Sequence, residues 1–558
     1  MNWYKRISFS IRREWVLFSI LAFAFFSRVV GIGYGLPLTV VSDESTFTLG
    51  ALLMIKLHTV LPALHPEFQS ILYYPPYLSY ILLAPFTIIL GVQYVLSHGD
   101  PGLFQTYVVT HLSPFYIAAR LLSVSLGILS VYLIYRIAVV LFRSRIAALG
   151  AAFLLATSIS HVALSMVGRQ WLPVSAVIVI VLYILSRESW SLKKRYIAAF
   201  AIAGVGMGIS SICALACVLI GIYYFCFDVP RFRHIVRDGA VFLSGACAFM
   251  VLAAVAWFAY HGGLSFVDSI TIFQPKSLGA LLVSPWSVIS LIVLSEPVLV
   301  ALATLGLVYC AFREKRVGAL IAGFFILYAA IFYLFFRIES RFFLPLVPFL
   351  SLSGGYAIAQ LWSRRSAVVL FILLSVPLFA AVRFSYLAAQ GDTRLHAREW
   401  VLEHLTPGDR VLVYSSAIHV PTQAAAVQEL RAIDPSALRQ VDQVDEILDR
   451  HDVPYVLNNL KSLTRVDFLK RLAEYAHEHD YTYLVLEPNA LLSVATTTKE
   501  AFASLTKSAP IVAHFDGFGA TNIGPTMSIG ESTFTQPFTV LFEPRSLGTD
   551  IVIYRLRE

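Results

Sequence analysis

Apolar stretches long enough for membrane helices, separated by short loops rich in arginine and lysine, run from the start of the chain to about position 388. A bilayer core needs about 20 consecutive apolar residues per helix, and basic residues collect in the loops left on the cytoplasmic face. The loops are Arg143/Arg145, Arg187 to Arg195 with Lys193 and Lys194, Arg231 to Arg237, Arg313 to Arg316, and Arg364/Arg365. If all share one face, the parity of crossings between each pair is fixed. Composition agrees: 58% of the 558 residues are hydrophobic and the mean hydropathy is +0.73, whereas soluble domains hold about 45–50% apolar residues. The net charge of +8 is then an expression of topology and not of nucleic-acid binding.

The first run, Trp15 to Ile32, follows Lys5, Arg6, Arg12 and Arg13, which places the N-terminus in the cytoplasm. It lacks a small-residue cleavage site and reads as an uncleaved anchor. Phe115–Leu141 crosses inward, Ile146–Leu164 outward and Trp171–Ser186 inward. Tyr196 to Phe227 has basic loops at both ends, so it crosses twice, as two short helices meeting near Ser210-Ser211. Ala240–Tyr260, Trp286–Phe312, Gly318–Phe336, Phe342–Leu361 and Ala367–Leu387 complete eleven crossings and leave the C-terminus outside. Ile71 to Leu96, interrupted by Pro75, Pro76 and Pro85, is expected to lie on the outer face within a long external loop, residues 33–114. All five cysteines fall in apolar segments, so neither a structural disulfide nor a cysteine metal site is expected.

From about Ala389 the pattern changes. Arg410–Ser415, Tyr455–Leu460, Tyr481–Leu486, Ile511–Phe515, Phe538–Phe542 and Asp550–Arg555 read as strands. Ala437–Arg450 and Val466–Glu478 read as helices. The expected fold is a polytopic α-helical membrane domain over residues 1–388, followed by an extracytoplasmic soluble α/β domain over 389–558. That places the protein in the cell (inner or plasma) membrane as a multi-pass protein. The second domain has neither a glycine-rich phosphate loop nor a Ser/His/Asp motif and reads as an acceptor-binding or stabilising module.

Asp43-Glu44 stand just beyond the first crossing, on the outer side, before the short apolar stretch Thr46 to Met54. An ionised carboxylate there can act as a base on a lipid-carried substrate. Tyr73-Tyr74-Pro75-Pro76-Tyr77 follow as a proline-broken aromatic segment. Arg120 lies near the outer end of a crossing, where a charge calls for pairing. An ion pair with Asp43 or Glu44 and direct phosphate binding are equally weighted for it. Arg169-Gln170-Trp171 form an outer turn, with an interfacial anchor as the plain alternative. Arg337, Glu339 and Arg341 form another. Two arginines run against the positive-inside pattern there, and a bound phosphate, matched by guanidinium forks, supplies a reason. The loop His261 to Pro285 adds Asp268, Gln274 and Lys276. The histidines show no metal spacing. His65 and Glu67 are the residues that could join Asp43 around a divalent ion.

In this order the motifs resemble the GT-C membrane glycosyltransferases, specifically the dolichyl-phosphate-mannose–protein mannosyltransferase and lipid A aminoarabinose transferase family. Phe26-Ser27-Arg28 through Leu36-Pro37 to Ser42-Asp43-Glu44 resembles the family's first helix and Asp-Glu motif. Tyr74-Pro75-Pro76-Tyr77 resembles its His-Pro-Pro-Leu element, with tyrosine for histidine. Ala119-Arg120-Leu121 is similar to its Ala-Arg-Leu segment, and Arg341-Phe342-Phe343-Leu344-Pro345 to its Arg-Tyr-x-Leu-Pro segment. Asp392-Thr393-Arg394 and Ala397-Arg398-Glu399-Trp400 resemble the start of the bacterial external domain. Two departures stand out. Gly168-Arg169-Gln170 replaces a loop that carries an acid in many relatives, and Ser211-Ile212-Cys213 replaces a threonine-lysine-tyrosine.

The resemblance implies transfer of one sugar, with inversion, from a polyprenyl-phosphate donor to a protein, lipid or envelope-glycan acceptor on the outer face. In that reading Asp43 is the base and Glu44 supports it or orients the acceptor. Arg341, Arg337, Arg120 and Lys276 hold the donor phosphate, while Tyr73, Tyr74, Tyr77, Arg169, Gln170 and Glu339 contact substrate. No specific cofactor is assigned, and a divalent cation is left open. The alternative is a non-catalytic membrane scaffold, or a protein that binds or transports lipid-linked glycans. A transporter would show charges deep inside several crossings, and the sequence reading expects none.

Overall fold

The computed structural model describes residues 2–38, 40–41, 43–72, 74–229, 235–261, 293–335, 340–363, 365–415, 418–435, 456–460, 465–491, 494–516 and 546–557. Tyr73, Lys276, Arg337, Glu339, the strand Phe538–Phe542 and the helix Ala437–Arg450 therefore lie outside the described residues.

A bundle of helices comes first. Its long members are α1 (Asn2–Val29), α5 (Ser113–Phe142), α11 (Ile235–His261), α13 (Lys315–Phe335) and α15 (Ala367–Ala389). Between them run α6 (Arg145–Thr157), α7 (Ile159–Ser165), α8 (Trp171–Leu185), α9 (Leu192–Gly206), α10 (Leu215–Tyr223), α12 (Pro297–Arg313) and α14 (Val347–Leu361). Among the described residues, seven helical segments are long and apolar enough to cross a membrane, or eight if the bent pair α6–α7 is one span. Several further helices, α8 and α12 among them, are shorter than a full crossing, so length and composition alone stop short of the expected eleven.

Side-chain pairs mark the two ends of the bundle. At one end Tyr135 of α5 donates to Glu14 of α1 at 3.1 Å, Arg195 of α9 faces Asp228 at 3.3 Å, and Arg313 donates to Gln360 at 2.6 Å. Of the basic residues that the sequence groups on one face, Arg145 lies 3.9 Å from Glu14 here, and Arg195 and Arg313 make the contacts just given. At the opposite end Tyr77 N donates to Gly208 O at 2.9 Å, Tyr260 hydroxyl to Leu72 O at 3.1 Å, and Tyr328 hydroxyl to Phe342 O at 2.6 Å. Two helices cover this second end, α2 (Glu44–Lys56) and α3 (Tyr77–Leu96), with α4 (Pro101–Thr110) beside them. By composition α3 can span a membrane. Its contacts keep it at the second end: Ser79 donates to Phe47 O at 3.0 Å, Phe86 packs edge-on against Phe115 at 4.9 Å, and Gln93 donates to His111 O at 3.3 Å.

The pair α6–α7 bends by 59° at Ser158. The break leaves carbonyls of α6 and amides of α7 without helical partners, and opposite charges meet them. Buried Arg28 donates to Ala156 O at 3.3 Å and Leu155 O at 3.5 Å, and to His161 Nδ1 at 2.9 Å. Buried Glu296 accepts from Ser158 Oγ at 2.6 Å and Ser160 N at 2.9 Å. A cation on a helix C-terminus and an anion on an N-terminus both complement the helix dipole. Arg28, in the last turn of α1, and Glu296, the N-cap of α12, are thus charges buried in the bundle, and the broken helix supplies their polar partners.

After α15 the chain enters a mixed α/β unit. Its five-stranded sheet has the order β2-β1-β3-β5-β4, with β1 Arg410–Tyr414, β2 Val456–Asn459, β3 Tyr483–Leu486, β4 Ile511–Phe515 and β5 Ile551–Arg555. β1 is parallel to β2 and β3, while β5 runs antiparallel to β3 and β4. Both faces of the central strands are buried. Leu412, Tyr414, Leu484 and Leu486 pack with Leu469, Leu472 and Phe502. Val411, Val413 and Val485 pack on the other side with Ala397, Val401 and Ile553. Strands covered on both faces read as continuous apolar runs, which is how β1 and β3 stood out in the sequence. The expected single helix Val466–Glu478 is two, α18 (Val466–Lys470) and α19 (Leu472–Glu478).

Asp392 joins this unit to the bundle. It caps α16 (Thr393–His404) by accepting from Arg394 N at 2.9 Å, and its carboxylate binds the Arg394 guanidinium at 2.7 and 2.9 Å. Tyr34, which follows α1, donates its hydroxyl to the same carboxylate. Burial alone would raise the Asp392 pKa, but Arg394 and Tyr34 outweigh it and hold the group below its ordinary range.

Candidate active site

Asp43 is the N-cap of α2 and sits in the left-handed backbone region, at φ 62°. Aspartate tolerates this conformation better than most residues, and such backbone concentrates at functional sites. The turn separates the two acids, so they face different surroundings.

Glu44 faces inward. Both its oxygens bind the Arg120 guanidinium, Nε to Oε1 and Nη2 to Oε2, each at 2.7 Å. The Gly168 amide donates to Oε1 at 2.7 Å. Arg120 also donates from Nη1 to Ile32 O at 2.7 Å and Tyr34 O at 2.8 Å. The two side chains are 1% and 0% exposed. Of the two roles weighed for Arg120, the geometry holds the ion pair. The Arg120 guanidinium is buried and engaged on Glu44 and two carbonyls.

Asp43 is more open, with 28% of its side chain exposed. Its Oδ2 accepts from the Tyr74 hydroxyl at 3.1 Å and from the Arg169 guanidinium. Tyr74 stacks on Phe47 at 5.5 Å. Burial, and then the Asp43 carboxylate beside it, push the Tyr74 phenol above its ordinary range, so it stays protonated and donates. Arg169, placed by sequence in substrate contact, is instead buried against Asp43.

The loop that carries Arg169 lies close against α5. A Cβ on Gly168 would fall 2.8 Å from Ala119 Cβ and 3.2 Å from Glu44 Oε1, so only glycine lets the loop approach. Gly168→Ala is therefore expected to push the loop off Glu44 and shift Arg169 from Asp43, lowering turnover by about tenfold or more, since a misplacement of about 1 Å can cost 10²-fold. Unchanged steady-state rates for Gly168→Ala would show that the loop position does not matter.

Beyond Arg169, Trp171 packs on Phe342 at 4.7 Å, and Arg341 lies with its guanidinium carbon 5.5 Å from the Phe342 ring centre. The aromatic pair thus joins the Arg341 segment to the loop that serves Asp43. Tyr77 lies on the Gly208 turn, where a side chain on Gly208 would overlap its ring. Among the described residues, Thr46 Oγ1, Tyr116 hydroxyl, Gln170 Oε1 and Trp171 Nε1 are buried without hydrogen-bond partners. Such atoms are uncommon in folded proteins, and all four lie on the elements that build this site. Sequence reasoning missed Gly168, Glu296 and Tyr116. The glycine-led outer turn was the only signal for the first, and a lone acid at the start of an apolar run was the only one for the second.

The donor set at Asp43 does not fit a divalent cation. Oδ2 already faces the fixed cation of Arg169, and the oxygens of Glu44 are engaged. His65 and Glu67, considered as partners of Asp43 around an ion, face each other at 4.0 Å. Among the described residues, His514, Asp516 and Asp550 in the α/β unit bring potential ligand atoms within 4.8 Å of one another, at a place separate from the acid pair.

No family model matches the chain. No curated protein matches it either. Among solved structures, it is similar to ArnT from Cupriavidus metallidurans bound to undecaprenyl phosphate, at 12% identity and TM-score 0.45 over 97% of each chain. It is also similar to the oligosaccharyltransferase AglB from Archaeoglobus fulgidus, at 14% identity and TM-score 0.43 over 91% of this chain and 74% of that one. A third is the arabinofuranosyltransferase AftD from Mycobacteria, at 17% identity and TM-score 0.37 over 82% of this chain. The matched region spans only 35% of the AftD chain. These are GT-C glycosyltransferases.

Proposed function

We propose that this chain transfers a single hexosyl or pentosyl unit from a polyprenyl-phosphate donor to an acceptor hydroxyl on the outer face of a membrane, with inversion. The observation that supports this reading is the unequal treatment of the two acids. Glu44 is locked into a buried ion pair, whereas among the described residues Asp43 is held on one oxygen only. Tyr74 and Arg169 both contact Oδ2, which leaves Oδ1 to take a proton.

The chemistry asks for a base and for positive charge near a departing phosphate. The acceptor oxygen attacks the anomeric carbon as its proton moves to Asp43. The bond from that carbon to the phosphate oxygen breaks, and polyprenyl phosphate leaves with the electron pair. The leaving group is already an anion of low basicity, so no general acid is needed. Arg341 stands on the aromatic pair beside the Arg169 loop and takes the phosphate, together with Arg337 and Lys276. Tyr74 and Tyr77 flank the sugar or the isoprenoid, and Tyr73 and Glu339 keep the substrate-contact role that the sequence suggests.

Purified protein incubated with a panel of polyprenyl-phosphate sugars tests the reading through release of polyprenyl phosphate. Wild type is expected to release it from one donor class in the presence of acceptor. Arg341→Ala is expected to raise the donor KM by about tenfold or more, from the loss of a charged hydrogen bond worth roughly 1.5–3 kcal/mol. An unchanged KM for Arg341→Ala would remove Arg341 from the phosphate site.

A further inference from the structure

The α/β unit carries a cleft of about 630 Å³, lined by Arg410, Glu429, Ile433, Tyr475 and His479, with Asp480 at its rim. Cavities of roughly 300–1,000 Å³ are the usual size for small-ligand sites. The cleft lies at the amino end of the parallel strands. Arg410 opens β1, and Tyr481, two residues before β3, stands beside it.

Its polar groups are fixed in advance. Arg410 Nη2 donates to both oxygens of Glu429, at 2.9 and 2.7 Å. The Tyr475 hydroxyl donates to Glu429. Asn458 donates to the Tyr481 hydroxyl at 2.6 Å, and the Arg410 guanidinium lies 4.7 Å from the Tyr481 ring centre. Burial pushes the Glu429 carboxyl up, but the bonds from Tyr475 and Arg410 outweigh it and hold it below its ordinary range, so it stays an acceptor at neutral pH. The Arg410 and Glu429 side chains are each 25% exposed, so the pair is ordered yet open to a ligand.

Two further properties define what fits. Charge cancels across the cleft: Arg410 offsets Glu429, and Asp480 at the rim pairs with Arg557. A phosphate or a polyanion finds no net attraction there. Tyr475 of α19 and His479, which caps that helix, lie one turn apart with ring centres 4.1 Å apart, and with Ile433, at the end of α17 (Ala424–Ile433), they add aromatic and apolar surface. A ligand that suits fixed acceptors beside fixed donors is one whose neighbouring groups both donate and accept, as hydroxyls do. A ligand that also packs on ring faces must present flat C–H surface.

We propose that this cleft binds a neutral saccharide. That this saccharide belongs to the acceptor side of the reaction rests on the transferase reading above. The test uses the full-length protein in detergent, titrated with short neutral oligosaccharides of hexose or pentose and followed by saturation-transfer NMR. Inorganic phosphate and a short acidic peptide are titrated in parallel. Wild type is expected to show saturable saccharide binding. Glu429→Gln, and Ala432→Trp, which fills the cleft beside the ion pair, are each expected to weaken it by about tenfold or more, with thermal unfolding confirming the fold. Three outcomes would overturn the proposal: no saturable binding of any saccharide, full affinity in a folded Ala432→Trp, or phosphate or peptide binding in place of the saccharide. Asp43→Asn separates the two readings. If it binds saccharide normally but also turns over normally, the transferase reading fails and the cleft stands. If wild type binds no saccharide while Asp43→Asn abolishes turnover, the cleft fails and the transferase reading stands.

Discussion

Asp43→Asn is expected to lower sugar transfer by about 10²–10⁴-fold, the usual contribution of a positioned base, while donor affinity stays within about threefold of wild type. The substitution is close to isosteric. The asparagine carbonyl can still accept from Tyr74 and Arg169, the two groups that hold Asp43 now. The Arg169 loop then keeps its place, because Gly168 is anchored separately on Glu44. What disappears is the second carboxylate oxygen as a proton acceptor. Single-turnover measurements with preloaded donor isolate that step, and equilibrium binding of labelled donor checks the other half. A variant that binds donor normally and also transfers normally would remove Asp43 from the chemistry. A variant that loses donor binding would instead give Asp43 a role in holding the substrate. Arg169 loses its anion in this variant while its own side chain is buried, so some loss of thermal stability is expected beside the loss of transfer.

Much of this arrangement was legible in the sequence, for reasons that can be traced to particular residues. The apolar runs and the basic loops set the order of the bundle, because hydrocarbon tolerates only helices whose backbone is satisfied internally. Strands β1 and β3 were visible as Val- and Leu-rich runs, and the two short helices meeting near Ser210 appear as α9 and α10 joined by the turn Ser211–Ala214. Asp43 and Glu44 were visible as acids in an unusual place, but their division of labour was not. Adjacent residues share a sequence context, and only the left-handed turn at Asp43 sends one side chain to α5 and the other to the surface. The partner of Glu44 lies 76 positions away and that of Asp43 lies 126 away, separations at which periodicity carries no information. The helix break at Ser158 was hidden for a related reason. Serine is a good N-cap, but α6 and α7 read as one apolar run, and the charges that complete the break come from Arg28 and Glu296, on other helices. The cleft around Arg410 and Glu429 likewise draws on residues from three separate elements.

Breaking the Glu44–Arg120 pair is expected to damage the fold before it damages the chemistry. Removing one partner of a buried ion pair typically costs about 3–5 kcal/mol, because it strands the other charge. Glu44→Gln is the sharpest version. The glutamine can offer one oxygen, but its NH₂ would face N–H donors of Arg120 or Gly168, where Glu44 now accepts three hydrogen bonds. Arg120→Met is expected to destabilise the protein similarly. It leaves Glu44 with the Gly168 amide alone and strips Ile32 and Tyr34 of their donor. The double variant Glu44→Gln/Arg120→Met should lose less than the sum of the two single changes, since neither charge is left unpaired. Thermal unfolding of the four proteins in one detergent measures this coupling. The cycle also decides between two roles for Glu44. If Glu44 holds the outer loop through Gly168, stability and turnover fall together in Glu44→Gln, and part of the stability returns in the double variant. If Glu44 were itself the base, Glu44→Gln would abolish turnover at unchanged stability. The buried, fully engaged carboxylate makes the first outcome the expected one: a group that already accepts three hydrogen bonds in a closed site has no approach for an acceptor hydroxyl, whereas Asp43, one residue earlier, does.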